Sequence, residues 1–346
     1  MSALTRILHR RRIRRLLAAL TVVLVTACAA VAWVIYQNTY ALREERVTIT
    51  GGVQPLQGVL AWPKHRDGPT GLVVFVHGDG PVDATHDTFY RPIWEAFARA
   101  GYASLSWDKP GIHGAPGDWL EQSMHDRAEE TIAAIAWAKR QPGIDPGRIG
   151  LWGASQAGWV MPEVAVRLPE LRFVIAVAPA VNWLRQGRYN LLAELGADAD
   201  PTVVRAELAR RNETLALLEA GAPFERYRDS VADAGEMTPD RWRFILKNYT
   251  ADASAQLAML RVPVLLILGG HDRHVDVAET EAEYRRLLPA PQRLEVRHYP
   301  DATHAMVRHS IERSSARTFL VAVTAPRSLF ATGFLDDQRA YLTRLP

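Results

Sequence analysis

Apolar residues in this chain fall in short unbroken runs rather than in strict alternation, with Gly, Pro and polar clusters between them. Residues 71–77 (G-L-V-V-F-V-H), 149–152, 173–178 and 262–268 (V-P-V-L-L-I-L) have the continuous character of strands covered on both faces. Residues 46–50, 57–62 and 293–299 read as further strands, and residues 87–100, 124–141 and 156–167 as helices placed to cover the sheet. The alternation predicts an α/β domain with a mostly parallel, eight-stranded sheet flanked by helices.

One stretch breaks the alternation. Residues 182–260 read as successive helices, with Pro201, Pro223 and Pro239 near their starts, and this is more chain than one crossover needs. It predicts an inserted helical cap between catalytic-domain segments 46–181 and 261–346. Trp183, Tyr189, Tyr227, Trp242, Phe244 and Tyr249 either line a pocket under it or pack its own small core, and none is assigned a binding role. Glu207, Arg210, Arg211 and Glu213 read as a solvated helix face.

The N-terminus has a different pattern. Residues 1–15 hold Arg6, Arg10, Arg11, Arg12, Arg14 and Arg15 with no acidic residue, and residues 16–42 hold no charge. Residues 16–36 suffice as a helix to cross a hydrocarbon core of ~30 Å, with Trp33, Tyr36 and Tyr40 placed for the far interface. The expected order is a cytoplasmic basic tail (1–15), a single-pass signal anchor (16–36), a stem (37–45) and an extracytoplasmic domain. A nucleic-acid-binding arm is the rival reading, but arginines abutting an uncharged apolar span more simply set topology. Val25-Thr26-Ala27-Cys28 also resembles a lipobox, which would give a lipoprotein anchored at Cys28, although residues 29–36 stay apolar where a mature lipoprotein turns polar. Without those six arginines the formal charge of +3 becomes −3, so the anchor accounts for the basic balance. A single cysteine excludes an intramolecular disulfide.

The chemistry concentrates at strand ends. Residues 148–158 (R-I-G-L-W-G-A-S-Q-A-G) carry an apolar run into small residues around Ser155, the pattern of a nucleophile elbow, with Ala157 where the G-x-S-x-G form has its last glycine. A hydroxyl is a weak nucleophile, so it must protrude towards a carbonyl and a base. After the strand at 71–77, His77-Gly78-Asp79-Gly80-Pro81 can present backbone N–H groups, and the amides of Asp79 and Gln156 are the candidate oxyanion donors. After residues 262–268, Gly269-Gly270-His271-Asp272 offers Asp272 as the orienting acid, with Asp276 as fallback. His304, just beyond the strand at 293–299, is the candidate base by position, over His271, His274, His298 and His309. No internal repeat, nucleotide fingerprint or Cys/His cluster with metal spacing competes.

Ser155, Asp272 and His304 follow in the chain order of the α/β-hydrolase superfamily, which the sequence resembles from about residue 46 onward. H-G-D-G-P-V-D at 77–83, S-W-D-K-P-G at 106–111 and G-A-S-Q-A-G at 153–158 are most similar to bacterial esterase and dienelactone-hydrolase-like members. The resemblance implies a membrane-anchored bacterial enzyme that cleaves a small acyl ester through an acyl-enzyme intermediate, with no cofactor. It also implies that Asp108 and Lys109 hold loops near the site. Peptidase, amidase or acyltransferase chemistry on the same residues remains open, as does a catalytically silent binding protein on the same fold, against which the retention of serine, acid, base and glycine loop argues.

Overall fold

A computed structural model describes residues 3–66, 68–231 and 237–345. Residues 1–2 of the basic tail and 232–236 of the expected cap lie outside the described residues, as do the side chains of Arg6, Arg10, Arg11 and Arg12. The strands are β1 (Leu42–Ile49), β2 (Leu56–Pro63), β3 (Thr70–Val76), β4 (Tyr102–Trp107), β5 (Ile144–Ala154), β6 (Val174–Val177), β7 (Val264–Gly269) and β8 (Leu294–Tyr299). They form one eight-stranded sheet in the order β1-β2-β4-β3-β5-β6-β7-β8. β1 pairs antiparallel with β2, β2 antiparallel with β4, and every later pairing is parallel. This is the α/β-hydrolase arrangement, as the resemblance implies.

The helices are α1 (Ala3–Gln37), α2 (Arg91–Ala98), α3 (Met124–Ala138), α4 (Met161–Arg167), α5 (Trp183–Leu195), α6 (Pro201–Glu219), α7 (Phe224–Ser230), α8 (Pro239–Asn248), α9 (Ser254–Met259), α10 (Val277–Leu287), α11 (His309–Glu312), α12 (Ser315–Thr324) and α13 (Phe334–Arg344). Both faces of the sheet are covered. On one, Leu72, Val74 and Leu151 meet Ile135 of α3, Val164 of α4, Leu257 of α9 and Tyr284 of α10. On the other, Val73, Phe75 and Trp152 meet Trp94 and Phe97 of α2 and Phe334 and Tyr341 of α13. Each side chain taken fully from water contributes about 1.5–3 kcal/mol, which explains why β3 is apolar at consecutive positions rather than alternate ones.

Between β6 and β7 run α5 to α9. Asp200 and Thr238 cap α6 and α8, and Pro201 and Pro239 occupy the first turns, where a missing N–H costs nothing. Tyr227 and Trp242 stack at 4.4 Å in a small cluster with Leu218 and Val231, and the Trp242 indole donates to Ala222 O. Of the six aromatic residues noted in this stretch, only Trp183 reaches the central cavity, whereas Phe244 joins the main core.

Two expectations change. β1 begins at Leu42, so the last four residues of the segment read as a stem, 42–45, are strand, and its R-E-E-R residues lie along an outer edge. Only residues 38–41 separate α1 from the sheet. The helix expected from residue 156 is a 3-10 turn, Ser155–Trp159, and the α-helix starts at Met161, with Pro162 in its first turn.

α1 carries a 24-residue stretch, Arg14–Gln37, of mean hydropathy 2.5 with no buried residue. At ~1.5 Å per residue it is long enough to cross a membrane. Its end is tied to the domain. Arg327 donates to Gln37 O at 2.6 Å and Thr39 O at 2.9 Å, pairs with the buried Glu95 at 2.7 Å, and lies 4.5 Å over the Tyr40 ring.

Candidate active site

Ser155 follows the last residue of β5 with a φ of 55°, in the left-handed region that a serine enters only under constraint. The constraint is close packing. A Cβ at Gly153 would stand 2.6 Å from Ala157 Cβ and 2.8 Å from Val76 O, and one at Gly158 would collide with the Ala180 backbone. The Ala157 methyl is therefore accommodated by the bare Cα of Gly153. Ser155 O accepts from Ala180 N at 3.0 Å, which ties the turn to the chain after β6.

Asp272 lies in the loop after β7, its side chain sealed from solvent. Its Oδ1 accepts the N–H groups of His274 at 2.8 Å and Val275 at 2.9 Å, and its Oδ2 lies 2.8 Å from His304 Nδ1. A carboxylate accepts, so Nδ1 carries the proton and Nε2 keeps the free lone pair of a base. Asp276 is the N-cap of α10, accepting from Glu279 N at 3.0 Å. The rival histidines have other surroundings: His298 pairs with Glu281 at 2.7 Å, and His271 stacks on His309 at 3.9 Å. His274 sits edge-on to His304 at 4.9 Å; burial, followed by the neighbouring imidazole, pulls its pKa below the usual histidine value.

The loop after β3 lies against the elbow: a Cβ at Gly78 would be 3.5 Å from Ser155 Cβ. Its carbonyls are drawn to buried cations. Lys109 Nζ donates to Gly78 O at 2.6 Å and Gly80 O at 2.9 Å, and Arg127 Nη2 donates to His77 O at 2.6 Å. Because a trans peptide sets C=O and N–H in opposite directions, the pinned Gly78 carbonyl turns the Asp79 N–H away from Lys109. Asp108 secures the neighbouring chain by accepting from Ala84 N at 2.7 Å. Burial, reinforced by the facing Arg127, holds the Lys109 pKa well below the ordinary lysine value.

The Gln156 side chain joins these groups: Arg127 donates to its Oε1, and its Nε2 donates to Asp79 Oδ1 at 3.1 Å. Arg241 of α8 forks onto Asp79 with contacts of 2.9 and 2.5 Å. Burial pushes the Asp79 carboxyl up, but the bonds and charge of Arg241 outweigh it and leave the pKa below the usual value. Sequence reasoning missed Arg127 and Arg241. Arg127 stands among H-D-R-A-E-E at the start of a helix, where it reads as solvated, and Arg241 carries no motif.

Ser155, Gln156, Asp79 and His304 all border one cavity of about 480 Å³. Phe89, Tyr90 and Trp152 form part of its wall, and Trp183, Gln186 and Asn190 of α5 another part. α5 is fastened to the acid loop by Tyr189, which donates to Asp272 O at 2.9 Å, and by Arg273, which donates to Ala193 O at 2.8 Å. Trp159 of the elbow and Trp183 of α5 stack at 4.9 Å. Among the described residues no group of three or more His, Cys, Asp and Glu side chains is placed to hold a metal ion. A hydroxyl, an imidazole held by a carboxylate and a loop of oriented amides around one cavity can perform base-assisted nucleophilic attack.

Sheet order and crossovers define an α/β hydrolase. The chain belongs to the serine aminopeptidase S33 family, whose profile matches residues 67–310. It is similar to the quorum-quenching protein AidA of Acinetobacter baumannii, with 25% identity over 249 residues, 67% of this chain and 79% of that protein. Among solved structures it is similar to the Pyrococcus furiosus esterase Pf2001 (TM-score 0.54, 18% identity, 87% of this chain and 89% of that one). A putative dienelactone hydrolase from Klebsiella pneumoniae gives a TM-score of 0.53 at 16% identity, over 88% of this chain and 99% of that one. At these identities the two structures establish the fold.

Proposed function

We propose that the protein is a membrane-anchored serine hydrolase that cleaves carboxylic esters. Ser155 attacks the carbonyl, His304 takes its proton through Nε2, and Asp272 stabilises the imidazolium. The Asp79 and Gln156 amides hold the oxyanion, and water then releases the acyl group through the same histidine. The observation that carries this reading is the 2.8 Å bond from Asp272 to His304 beside a cavity that also receives the constrained Ser155.

Residues 182–260 act as the cap: α5 and α8 each contribute side chains to the cavity wall, where they exclude bulk water. The family name raises peptide cleavage as a second reading. Against it, Asp79, the acidic residue of the cavity wall among the described residues, is held by Arg241 and Gln156, which leaves no free carboxylate among those residues to receive a peptide's terminal ammonium. The neighbours named esterase and putative dienelactone hydrolase favour the ester. α1 spans the bilayer with its arginines cytoplasmic and the domain extracytoplasmic. Residues 29–36 stay apolar beyond Cys28, which favours the uncleaved anchor over a lipoprotein.

Labelling the full chain with a fluorophosphonate tests the nucleophile. Wild type is expected to label, and Ser155→Ala to lose labelling and ester turnover by roughly 10⁴-fold or more while keeping its circular dichroism. Absence of labelling in the folded wild type would transfer the fold to the silent, ligand-binding reading. Hydrolysis of aminoacyl amides in preference to acyl esters would replace esterase by peptidase.

A further inference from the structure

Helix α12 has an apolar face that the domain does not use. Ala316, Phe319, Leu320 and Val323 follow the i, i+3, i+4, i+7 spacing of one helical stripe and all are exposed, Phe319 by 72% and Leu320 by 60%. Val321 and Ala322, on another side, pack against the core. An exposed stripe of this size on a folded domain marks a surface that meets something apolar.

The location of α12 says what. Its last turn is hydrogen-bonded to the end of α1: Trp33 Nε1 donates to Thr324 O at 2.9 Å and Asn38 Nδ2 to Val323 O at 2.7 Å. These contacts fall where the apolar stretch of α1 ends, at the level of Trp33 and Tyr36, which are themselves exposed. The uncovered surface of α1 therefore continues onto the uncovered face of α12. Charge agrees with the position. Arg313 and Arg317 are exposed beside the stripe, with Glu312 the acidic neighbour. A cavity of about 360 Å³, part of whose wall is the Arg327–Ser328 turn that follows α12, is also lined by Arg99, Arg308 and Arg339 against Glu95 and Asp336. Apolar side chains flanked by an arginine excess are the composition of a helix that lies in a headgroup region carrying anionic lipid.

The geometry points to α12 as a second membrane contact, an interfacial helix whose Phe319, Leu320 and Val323 enter the bilayer surface beside the point where α1 leaves it. The inference rests on the reading of α1 as a membrane-spanning anchor. With Arg327 joining the end of α1 and the following residues Thr39 and Tyr40 to α2, the two contacts hold the domain in one orientation on the lipid.

Full-length protein in vesicles of phosphatidylethanolamine and phosphatidylglycerol tests this. In a Cys28→Ser background, one environment-sensitive label is placed by Phe319→Cys and another, in a separate variant, by Leu24→Cys at the middle of α1. Quenching is compared between plain lipids and lipids brominated at shallow or deep acyl positions. The expected result is at least twofold quenching at position 319 by shallow bromines and at position 24 by deep ones. Quenching at 24 with none at 319 overturns the role of α12 and leaves the anchor standing. No quenching at either position removes the anchor reading and this inference with it. Quenching at 319 alone rejects α1 as the spanning helix and overturns the inference as stated, which makes α12 a second contact beside it.

Discussion

Ser155 has a backbone angle that L side chains avoid, and its neighbours are chosen for smallness where the chain must turn. In the proposed mechanism the choice of acid rests on competing hydrogen bonds rather than on sequence position: Asp272 faces the imidazole, while Asp276 faces a helix N-terminus. Asp272→Asn is therefore expected to lower kcat about 10⁴-fold with the fold retained. Asp276→Asn, which keeps a capping side chain, should leave ester turnover near wild type, and Asp276→Ala should cost about 1 kcal/mol of stability in denaturant titrations. Equal loss of kcat in Asp272→Asn and Asp276→Asn would refute the assignment.

His77 offers a prediction in pH. Its Nε2 lies 2.6 Å from Trp107 O, which can only accept, so Nδ1 accepts from the Tyr90 hydroxyl at 3.0 Å and the ring is neutral. Burial, with Lys109 next, holds its pKa well below the usual histidine value. Below about pH 6.5 the unfolded chain binds a proton that the folded chain does not, so stability falls with pH by up to about 1.4 kcal/mol per unit. Unfolding measured at pH 7.5 and 5.5 should show this slope, and His77→Gln should flatten it by a comparable amount.

At the scale of elements, the site depends on cations that reach it from three separate segments. Lys109 after β4 and Arg127 of α3 orient the loop from behind, and Arg241 of α8 grips Asp79 from the helices between β6 and β7. Lys109→Met keeps the length of the side chain but removes the donors to Gly78 and Gly80. It should reduce kcat by roughly 10²-fold, the effect of misplacing an oxyanion donor, with KM less changed. Arg241→Ala is a milder change. Its ion pair is partly exposed, so the expected loss of stability is under about 1 kcal/mol, read as a small shift in melting temperature.

The strands were legible because burial on both faces leaves a continuous apolar run, and the loops that carry Ser155, Asp272 and His304 were legible because each follows such a run. β1 was partly hidden, since an outer strand needs one covered face and its charged residues imitate a linker. The elbow's 3-10 turn and the bracing arginines depend on contacts between segments far apart in the chain, which no local pattern records.

For the whole molecule, Arg327 is the point where α1 and the domain become one body. It joins Gln37 and Thr39 at the end of α1 to Glu95 in α2, whose carboxylate is nearly sealed from water. Burial pushes the Glu95 pKa up, but Arg327, the Ala41 amide and Arg99 together hold it below the ordinary value. Arg327→Ala leaves that carboxylate with fewer partners and is expected to cost about 1–3 kcal/mol, seen in thermal unfolding near neutral pH. Glu95→Gln in the same chain should restore part of the loss.

The sheet has two outer strands, and both are charged: Arg43, Glu44, Glu45 and Arg46 on β1, Glu295 and Arg297 on β8. Proteins confined to a plane meet one another far more often than in bulk, and an open strand edge invites a neighbour to zip onto it. Like-charged groups brought face to face by such pairing repel. The same residues that disguise β1 as a linker would keep densely crowded copies from growing into sheets that run from molecule to molecule.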